Sequence, residues 1–400
     1  MELYKVGYLS GAPRVSTHPQ AELVGPRTHI LGVIRAFESH GWKVKRFIVG
    51  DRVPTNWVVK GSEENLSRSK LRIFLADLIR IVMGIFYARM AYREIGEDVN
   101  WVYERLATLQ SLGWIFKKNG HLWILETNAP LFIEAKNDRN TIILKSLAKY
   151  MEIKAYQNCD ILVCISENLK DIIIEKADIS PRKVIVVPNG VDVSVYNPSI
   201  IQPIRFFENF TIGFVGNLAS WQGVELLFDA FHEIRQDGLV INLVIVGDGP
   251  IKKELEEKVQ IFDLTKYVKF TGFVPQENVP EYIAGFDIGY SGQTQRTESR
   301  MYCSPIKVYE YMAMGVPALA SDYEDTRRVI KDGSGYLFRI GDGEDLKRVI
   351  KNAYREKEKF KQMGRLARDE IIHKHSWDAR VIQLTKEIEN ILANPWKDDY

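Results

Sequence analysis

The chain has 400 residues, 46% of them hydrophobic and 26% charged, with a net charge of +2. That length exceeds one ordinary core and calls for two domains of nearly equal size. So even a charge balance, with no basic stripe interleaved with aromatics, argues against nucleic acid as a partner. Cys159, Cys164 and Cys303 show no CxxC or Cys/His ligand spacing, which fits a reducing cytosol and argues against structural zinc; no cofactor or metal is expected.

The chain opens on Met1–Ser10, which is short, carries charge and reads as a first strand rather than a signal peptide. In the first half, strands are expected at Tyr4–Leu9, Lys43–Val49, Trp101–Tyr103, Leu122–Leu125, Ile161–Ile165 and Val184–Val187, with helical patterns between them. The most apolar stretch, Ile73 to Tyr92, is interrupted by Asp77, Arg80 and Arg89, so it is no clean transmembrane span. The segment Leu71–Tyr92 reads either as a domain helix with one solvated face or as an amphipathic helix resting on a membrane, with Arg72, Arg80, Arg89 and Arg93 near lipid head groups.

The turn Pro188-Asn189-Gly190-Val191-Asp192 and the breakers Pro198 and Pro203 place a domain boundary between Pro188 and Phe207, giving domains 1–200 and 204–377. Beyond it the rhythm repeats, with strands expected at Thr211–Val215, Asn242–Val246, Val268–Phe270, Phe286–Tyr290, Ala318–Ser321 and Gly335–Phe338. A final helix, about 378–393, is expected to pack back on the first domain. Alternating strands and helices of this kind make an α/β chain with two doubly wound, parallel-sheet domains.

Ligands of such domains sit beyond the carboxyl ends of the strands. The segment Ser304–Pro317 reads as a crossover helix with Ser304 as N-cap, Pro305 in the first turn and Gly315 with Pro317 as its stop. Lys307 in that first turn opposes the positive end of the helix dipole, a conflict that a bound anion resolves. Glu310, three residues on, is placed to accept from ribose hydroxyls; a plain i,i+3 Lys–Glu surface pair is the other reading. Gly216-Asn217-Leu218-Ala219-Ser220-Trp221-Gln222-Gly223 follows a strand with glycines that let backbone approach a ligand. Gly247-Asp248-Gly249-Pro250 reads as a structural turn. Gly272-Phe273-Val274-Pro275 offers a ring to a base or packs as an ordinary loop. In the first half, Ser10-Gly11-Ala12-Pro13 and Glu126-Thr127-Asn128-Ala129-Pro130 follow strands; the carboxylate and amide of Glu126 and Asn128 suit sugar hydroxyls or cap the helix near Pro130.

Taken in order, Val187–Asp192, Gly213–Asn217, Val246–Pro250, Phe270–Pro275 and Ser304–Pro317 resemble the group 1, family 4 glycosyltransferases of the GT-B fold. Tyr103-Glu104-Arg105 and Leu125–Leu131 with Glu134 resemble a subgroup of them. The resemblance implies two Rossmann-like domains facing each other across a cleft. It also implies retaining, metal-independent transfer of a sugar from a UDP- or GDP-sugar to a glycan or lipid-linked acceptor in polysaccharide or glycolipid biosynthesis. Such proteins act in the cytoplasm or at the inner membrane face. By the same resemblance, Ser304, Pro305, Ile306 and Lys307 hold the diphosphate and Glu310 the ribose. Phe273 and Val274 meet the base, while Gly11, Gly216, Asn217 and Gln222 border the donor. Glu126 and Asn128 line the sugar and acceptor side, and with Lys307 and Glu310 form the expected catalytic set.

Three departures stand out. Where the family often carries a glutamate eight positions before the second one, this chain has Tyr302, and where it often carries Arg and Lys after the first strand of the second domain, this chain has Asn217 and Gln222. Lys307, Arg296 and Arg300 are then the cations left for the diphosphate. The histidine often found near the position of Leu125 is also missing, and His121 is expected at the far end of that strand. These departures leave a non-catalytic nucleotide-sugar-binding protein as the alternative. A nicotinamide-dependent oxidoreductase is set aside because no GxGxxG follows an expected strand.

Overall fold

A computed structural model describes residues 4–18, 21, 25–53, 70–131, 142–294 and 301–393. The chain divides into two compact units, one running to Pro188 and resuming at Arg380, the other spanning Asn189–Ala379.

The first unit alternates β1 (Lys5–Ser10), α1 (Gly25–Ser39), β2 (Lys43–Ile48), α2 (Lys70–Ile95), β3 (Trp101–Arg105), α3 (Gly113–Lys118), β4 (Leu122–Thr127), α4 (Lys145–Asn158), β5 (Ile161–Cys164), α5 (Glu167–Ala177) and β6 (Val184–Val186). Its six strands are parallel in the order β2-β1-β3-β4-β5-β6. The order reverses between β1 and β3, which makes their carboxyl ends the switch point. The inner strands β1, β3, β4 and β5 are buried nearly throughout because helices cover both faces, whereas the edge strand β2 is largely exposed in its first four residues; Phe37, Trp42 and Trp101 pack with ring centroids 5.3–5.8 Å apart.

Two buried carboxylates fasten the helices of this unit. Glu104 accepts from the N–H groups of Leu112 and Gly113, from Ser111 Oγ and from Trp123 Nε1 at 2.6–3.2 Å. It therefore anchors the start of α3 to β4. Burial raises its carboxyl to about 7, with those four donors pulling the other way. Asp77, the charge that interrupts the apolar run of α2, accepts from the N–H groups of Ile143 and Leu144 at 2.8 and 3.0 Å, at the otherwise unpaired entry to α4.

The second unit alternates β7 (Thr211–Val215), α6 (Val224–Gln236), β8 (Asn242–Val246), α7 (Lys252–Ile261), β9 (Val268–Gly272), α8 (Val279–Ile283), β10 (Ile288–Ser291), α9 (Ile306–Ala313), β11 (Ala318–Ser321), α10 (Glu324–Val329) and β12 (Gly335–Phe338), followed by α11 (Gly343–Arg355) and α12 (Phe360–Glu370); the last helix, α13 (Trp377–Ala393), belongs from Arg380 on to the first unit. Its sheet, again parallel, runs β12-β11-β10-β7-β8-β9, with the switch point between β7 and β10. Leu227, Phe228, Phe231 and Ile234 of α6 and Ile212, Phe214, Leu243 and Ile245 of the sheet form one core. Each such side chain contributes roughly 1.5–3 kcal/mol by leaving water.

All twelve expected strands are present; Thr211–Val215, Asn242–Val246, Ala318–Ser321 and Gly335–Phe338 keep the expected ends and the others are shifted. The expected strand at Phe286–Tyr290 begins only at Ile288. Asp287 is drawn off to accept from Thr211 N–H at 2.7 Å and from Arg205 at 2.9 and 3.0 Å. Residues 189–200 go with the second unit, held by Asn189 N–H on Ser304 Oγ, Tyr196 OH on Glu310 and a bridge between Val191 and Ser376. Within the first unit, Gln383 Nε2 of α13 donates to Val186 O at 3.0 Å.

Candidate functional site

At the switch point of the second sheet, the chain leaves β7 through Gly216 and leaves β10 toward α9. Gly216 has φ +140°, and a Cβ there would lie 2.7 Å from Lys307 Cε and 3.2 Å from its Nζ. Glycine is therefore required both by the backbone angle and by the room that the lysine takes. The half-buried Lys307 ammonium donates to Gln222 Oε1 and lies 4.8 Å from the Phe214 ring centroid. Its enclosure pushes it down to about 8, against the charges of Glu310 and Cys303, which favour the ammonium.

The helix itself starts later than expected. Ser304 does not cap α9: its hydroxyl accepts from Asn189 N–H at 3.0 Å and pairs with Tyr309 OH at 3.2 Å, while Pro305 takes the N-cap place without a side-chain bond. The Asn189 N–H of the incoming segment takes the hydroxyl that would otherwise cap the first turn of α9. Tyr311 secures the helix to the sheet, accepting from Val215 N–H at 3.0 Å and donating to Tyr290 O at 3.1 Å. Arg368 donates to Ala313 O at the far end.

Glu310 is buried on α9. Its Oε1 accepts from Tyr196 OH at 2.7 Å and from Gln276 Nε2 at 3.3 Å. Burial raises its carboxyl to about 7, opposed by the Tyr196 hydroxyl and the Lys307 ammonium. Phe273, in the loop after β9, is 53% exposed, whereas Val274 packs against the core beneath α9. Asn217 is exposed, and Gln222 is buried on Lys307.

At the switch point of the first sheet, Arg105 ends β3 beside Glu126 of β4. Glu126 is buried; it meets His29 Nε2 at 2.8 Å (Oε1) and 3.0 Å (Oε2), Arg105 Nη1 at 3.4 Å, and accepts from Asn128 Nδ2. Burial by itself would raise the carboxyl, but His29 and then Arg105 hold it down to about 2. Gly11 is buried too, and a Cβ there would meet Gln110 Cβ at 3.1 Å and Ala107 Cβ at 3.6 Å, so this turn lies against the loop after β3.

Two glycosyltransferase family models match in succession, Glycosyltransferase Family 4 over residues 119–195 and Glycosyl transferases group 1 over residues 202–370. The chain belongs to the group 1, family 4 glycosyltransferases. A curated relative, the amylovoran biosynthesis glycosyltransferase AmsK of Erwinia amylovora, is 25% identical over 42% of this chain and 41% of its own length, so the match spans less than half of that protein. The N-acetylgalactosamine-N,N'-diacetylbacillosaminyl-diphospho-undecaprenol 4-alpha-N-acetylgalactosaminyltransferase of Campylobacter jejuni is 24% identical over 69% of this chain and 76% of its own length. Among solved structures, Anabaena HepE in complex with UDP superposes with a TM-score of 0.64 at 17% identity, covering 98% of this chain and 100% of that one. That likeness places the fold in the GT-B class.

Set against the family pattern, the structure brings Gly216, Gln222 and Lys307 together in the second unit, with Glu310 one turn along α9. In the first unit it joins Glu126 to Asn128. Glu134, Arg296 and Arg300 lie outside the described residues. His121 does lie at the amino end of β4, where Nε2 pairs with Gly96 O at 2.9 Å. The residue that sequence reasoning missed is His29. It sits on the apolar face of α1, 97 positions from Glu126, and only the parallel order of β1, β3 and β4 brings the two together. The missing family histidine near Leu125 was the one available signal: an imidazole does reach this strand end, from another element.

Proposed function

We propose that this chain transfers a sugar, with retention and without a metal ion, from a UDP- or GDP-sugar to a glycan or lipid-linked glycan acceptor. The observation that carries the reading is the Lys307 ammonium at the first turn of α9, enclosed beside Gly216 at the switch point of the second sheet. A diphosphate seats on Ser304, Pro305, Ile306 and Lys307, with the backbone N–H groups of Lys307 and Val308 as further donors. Glu310 offers Oε2 to the ribose while Tyr196 and Gln276 fix Oε1. Phe273 and Val274 meet the base, and Gly216, Asn217 and Gln222 border the sugar phosphate. The UDP complex of HepE and the diphospho-undecaprenol acceptor named for the Campylobacter relative support this donor and acceptor class.

Cleavage at the anomeric carbon leaves a doubly charged diphosphate and an oxocarbenium-like sugar. Lys307 and the helix N–H groups stabilise the former from fixed positions. The acceptor hydroxyl attacks from the same face and passes its proton to the leaving phosphate. Glu126, held ionised by its contacts with His29 and Arg105, orients those side chains and Asn128; a carboxyl at about 2 is no proton shuttle near neutrality. Among the described residues no helix is long and apolar enough to cross a membrane. Peripheral contact at the inner membrane face through α2 brings the enzyme to a lipid-linked acceptor.

The test is release of nucleoside diphosphate from a panel of UDP- and GDP-sugars by the wild type and Lys307→Ala. A loss of about 10²–10³-fold in turnover in the variant is expected; equal turnover rejects the assignment.

A further inference from the structure

We propose that the groove between α2, α3 and α4 binds one anionic phospholipid of the membrane leaflet, its acyl chain along the groove and its phosphate against Lys117, Lys118 and Lys154. This rests on the membrane-facing reading of α2 and adds to it a lipid class and a place.

α2 is apolar on two sides. Ile73, Gly84, Ala88, Ala91 and Ile95 turn into the first unit. Leu71, Leu75, Leu78, Val82 and Phe86 recur at helical spacing on another side and are 41–67% exposed. Exposed Leu147 and Tyr150 of α4 add to this apolar surface.

Beside it lies a groove of about 420 Å³, lined by Ile81, Ile85, Leu109, Trp114 and Met151, with Lys117, Lys118 and Lys154 among its polar members. The size suits a small-molecule or lipid-chain site. Ile85 and Tyr150 belong both to the groove and to the exposed apolar surface, so the groove opens sideways onto the face that meets lipid.

Charge decides the occupant. The three helices carry ten lysines and arginines against three acidic residues, and two of those three, Asp77 and Glu152, are buried. The whole chain has a net charge of only +2. A second copy docking here would set cation against cation, whereas an anionic leaflet gains from each lysine near its surface. Lys117 now pairs with Asp160 at 3.1 Å and Lys154 with Gln157 at 3.1 Å; both partnerships are at the surface and give way to a phosphate at little cost.

The full chain is mixed with vesicles of phosphatidylcholine alone, of phosphatidylcholine with phosphatidylglycerol, and of the latter mixture with acyl-brominated phosphatidylglycerol. Flotation and tryptophan fluorescence are recorded for the wild type, Trp114→Phe, and the triple variant Lys117→Glu, Lys118→Glu, Lys154→Glu. Binding at least tenfold stronger to phosphatidylglycerol vesicles is expected, falling at least tenfold in the triple variant. Bromine quenching should fall in Trp114→Phe, with Trp123 left as the other tryptophan of the groove. The substituted lysines are exposed, so an unchanged melting temperature separates lost binding from lost fold. Undiminished quenching in Trp114→Phe, or undiminished binding of the triple variant, overturns the groove site while leaving surface contact through α2. Absence of binding to every vesicle overturns both.

Discussion

Among single residues, Lys307 is the centre of the proposed donor site. Its ammonium is half-buried and hydrogen-bonded to a neutral amide, and burial lowers it to about 8 against the charges of Glu310 and Cys303, so a bound anion favours the charged form further. A diphosphate raises that value, so its affinity depends on the ammonium only above about pH 8, while Glu310, at about 7, titrates below that. Above about pH 8, affinity should fall by up to about tenfold per pH unit. Titration calorimetry with UDP or GDP across pH 6.5–9.5 reads this directly, and Lys307→Arg should flatten the profile because a guanidinium does not titrate there. Glu126 makes the opposite kind of prediction. Its folded-state value of about 2 lies below the ordinary 4.5, so its contribution is complete above pH 4.5 and is lost as pH falls toward 2. That contribution is about 3 kcal/mol. Glu126→Gln should lower the melting temperature at pH 7, because it leaves the partly buried Arg105 without its counter-ion and His29 without its carboxylate partner, and should flatten the acid limb of melting temperature against pH.

At the scale of elements, the strands were legible because both faces of each parallel sheet are covered and the apolar runs stand out between helices. Helix starts were less legible. Ser304 had the residue type and position of an N-cap, yet a backbone N–H 115 positions away takes its hydroxyl. Asp77 read as an interruption of an apolar helix, whereas its carboxylate closes the entry to α4, 66 positions further on. Phe286 and Asp287 fit a strand pattern until Arg205 and Thr211 draw Asp287 aside. Each miss is a side chain recruited by a distant backbone group or charge, which local periodicity does not record. Asp77→Ala should accordingly destabilise the chain by about 1–3 kcal/mol, read by denaturant unfolding, since it strands two amides. Tyr311→Phe should cost a similar amount by leaving Val215 N–H unpaired, and should also weaken nucleotide binding by loosening α9 on the sheet.

At the scale of the whole molecule, two parallel sheets with separate cores carry two clusters at their own switch points: Gly216, Gln222, Lys307 and Glu310 in one unit, His29, Arg105, Glu126 and Asn128 in the other. The second cluster was half legible, since Glu126 and Asn128 sit together in sequence while His29 and Arg105 arrive through the fold. Hydrogen exchange with a nucleoside diphosphate present should slow at 215–223 and 304–311 and leave the strands of the first sheet unchanged. The most direct test of the account is a thermal-shift screen of the wild type and Lys307→Ala against UDP, GDP and ADP. A nucleoside diphosphate at a hundred times its Kd stabilises by about 2.7 kcal/mol. The account predicts stabilisation of the wild type by UDP or GDP and its loss in the variant; no shift with any of the three, or an equal shift in both proteins, would contradict it.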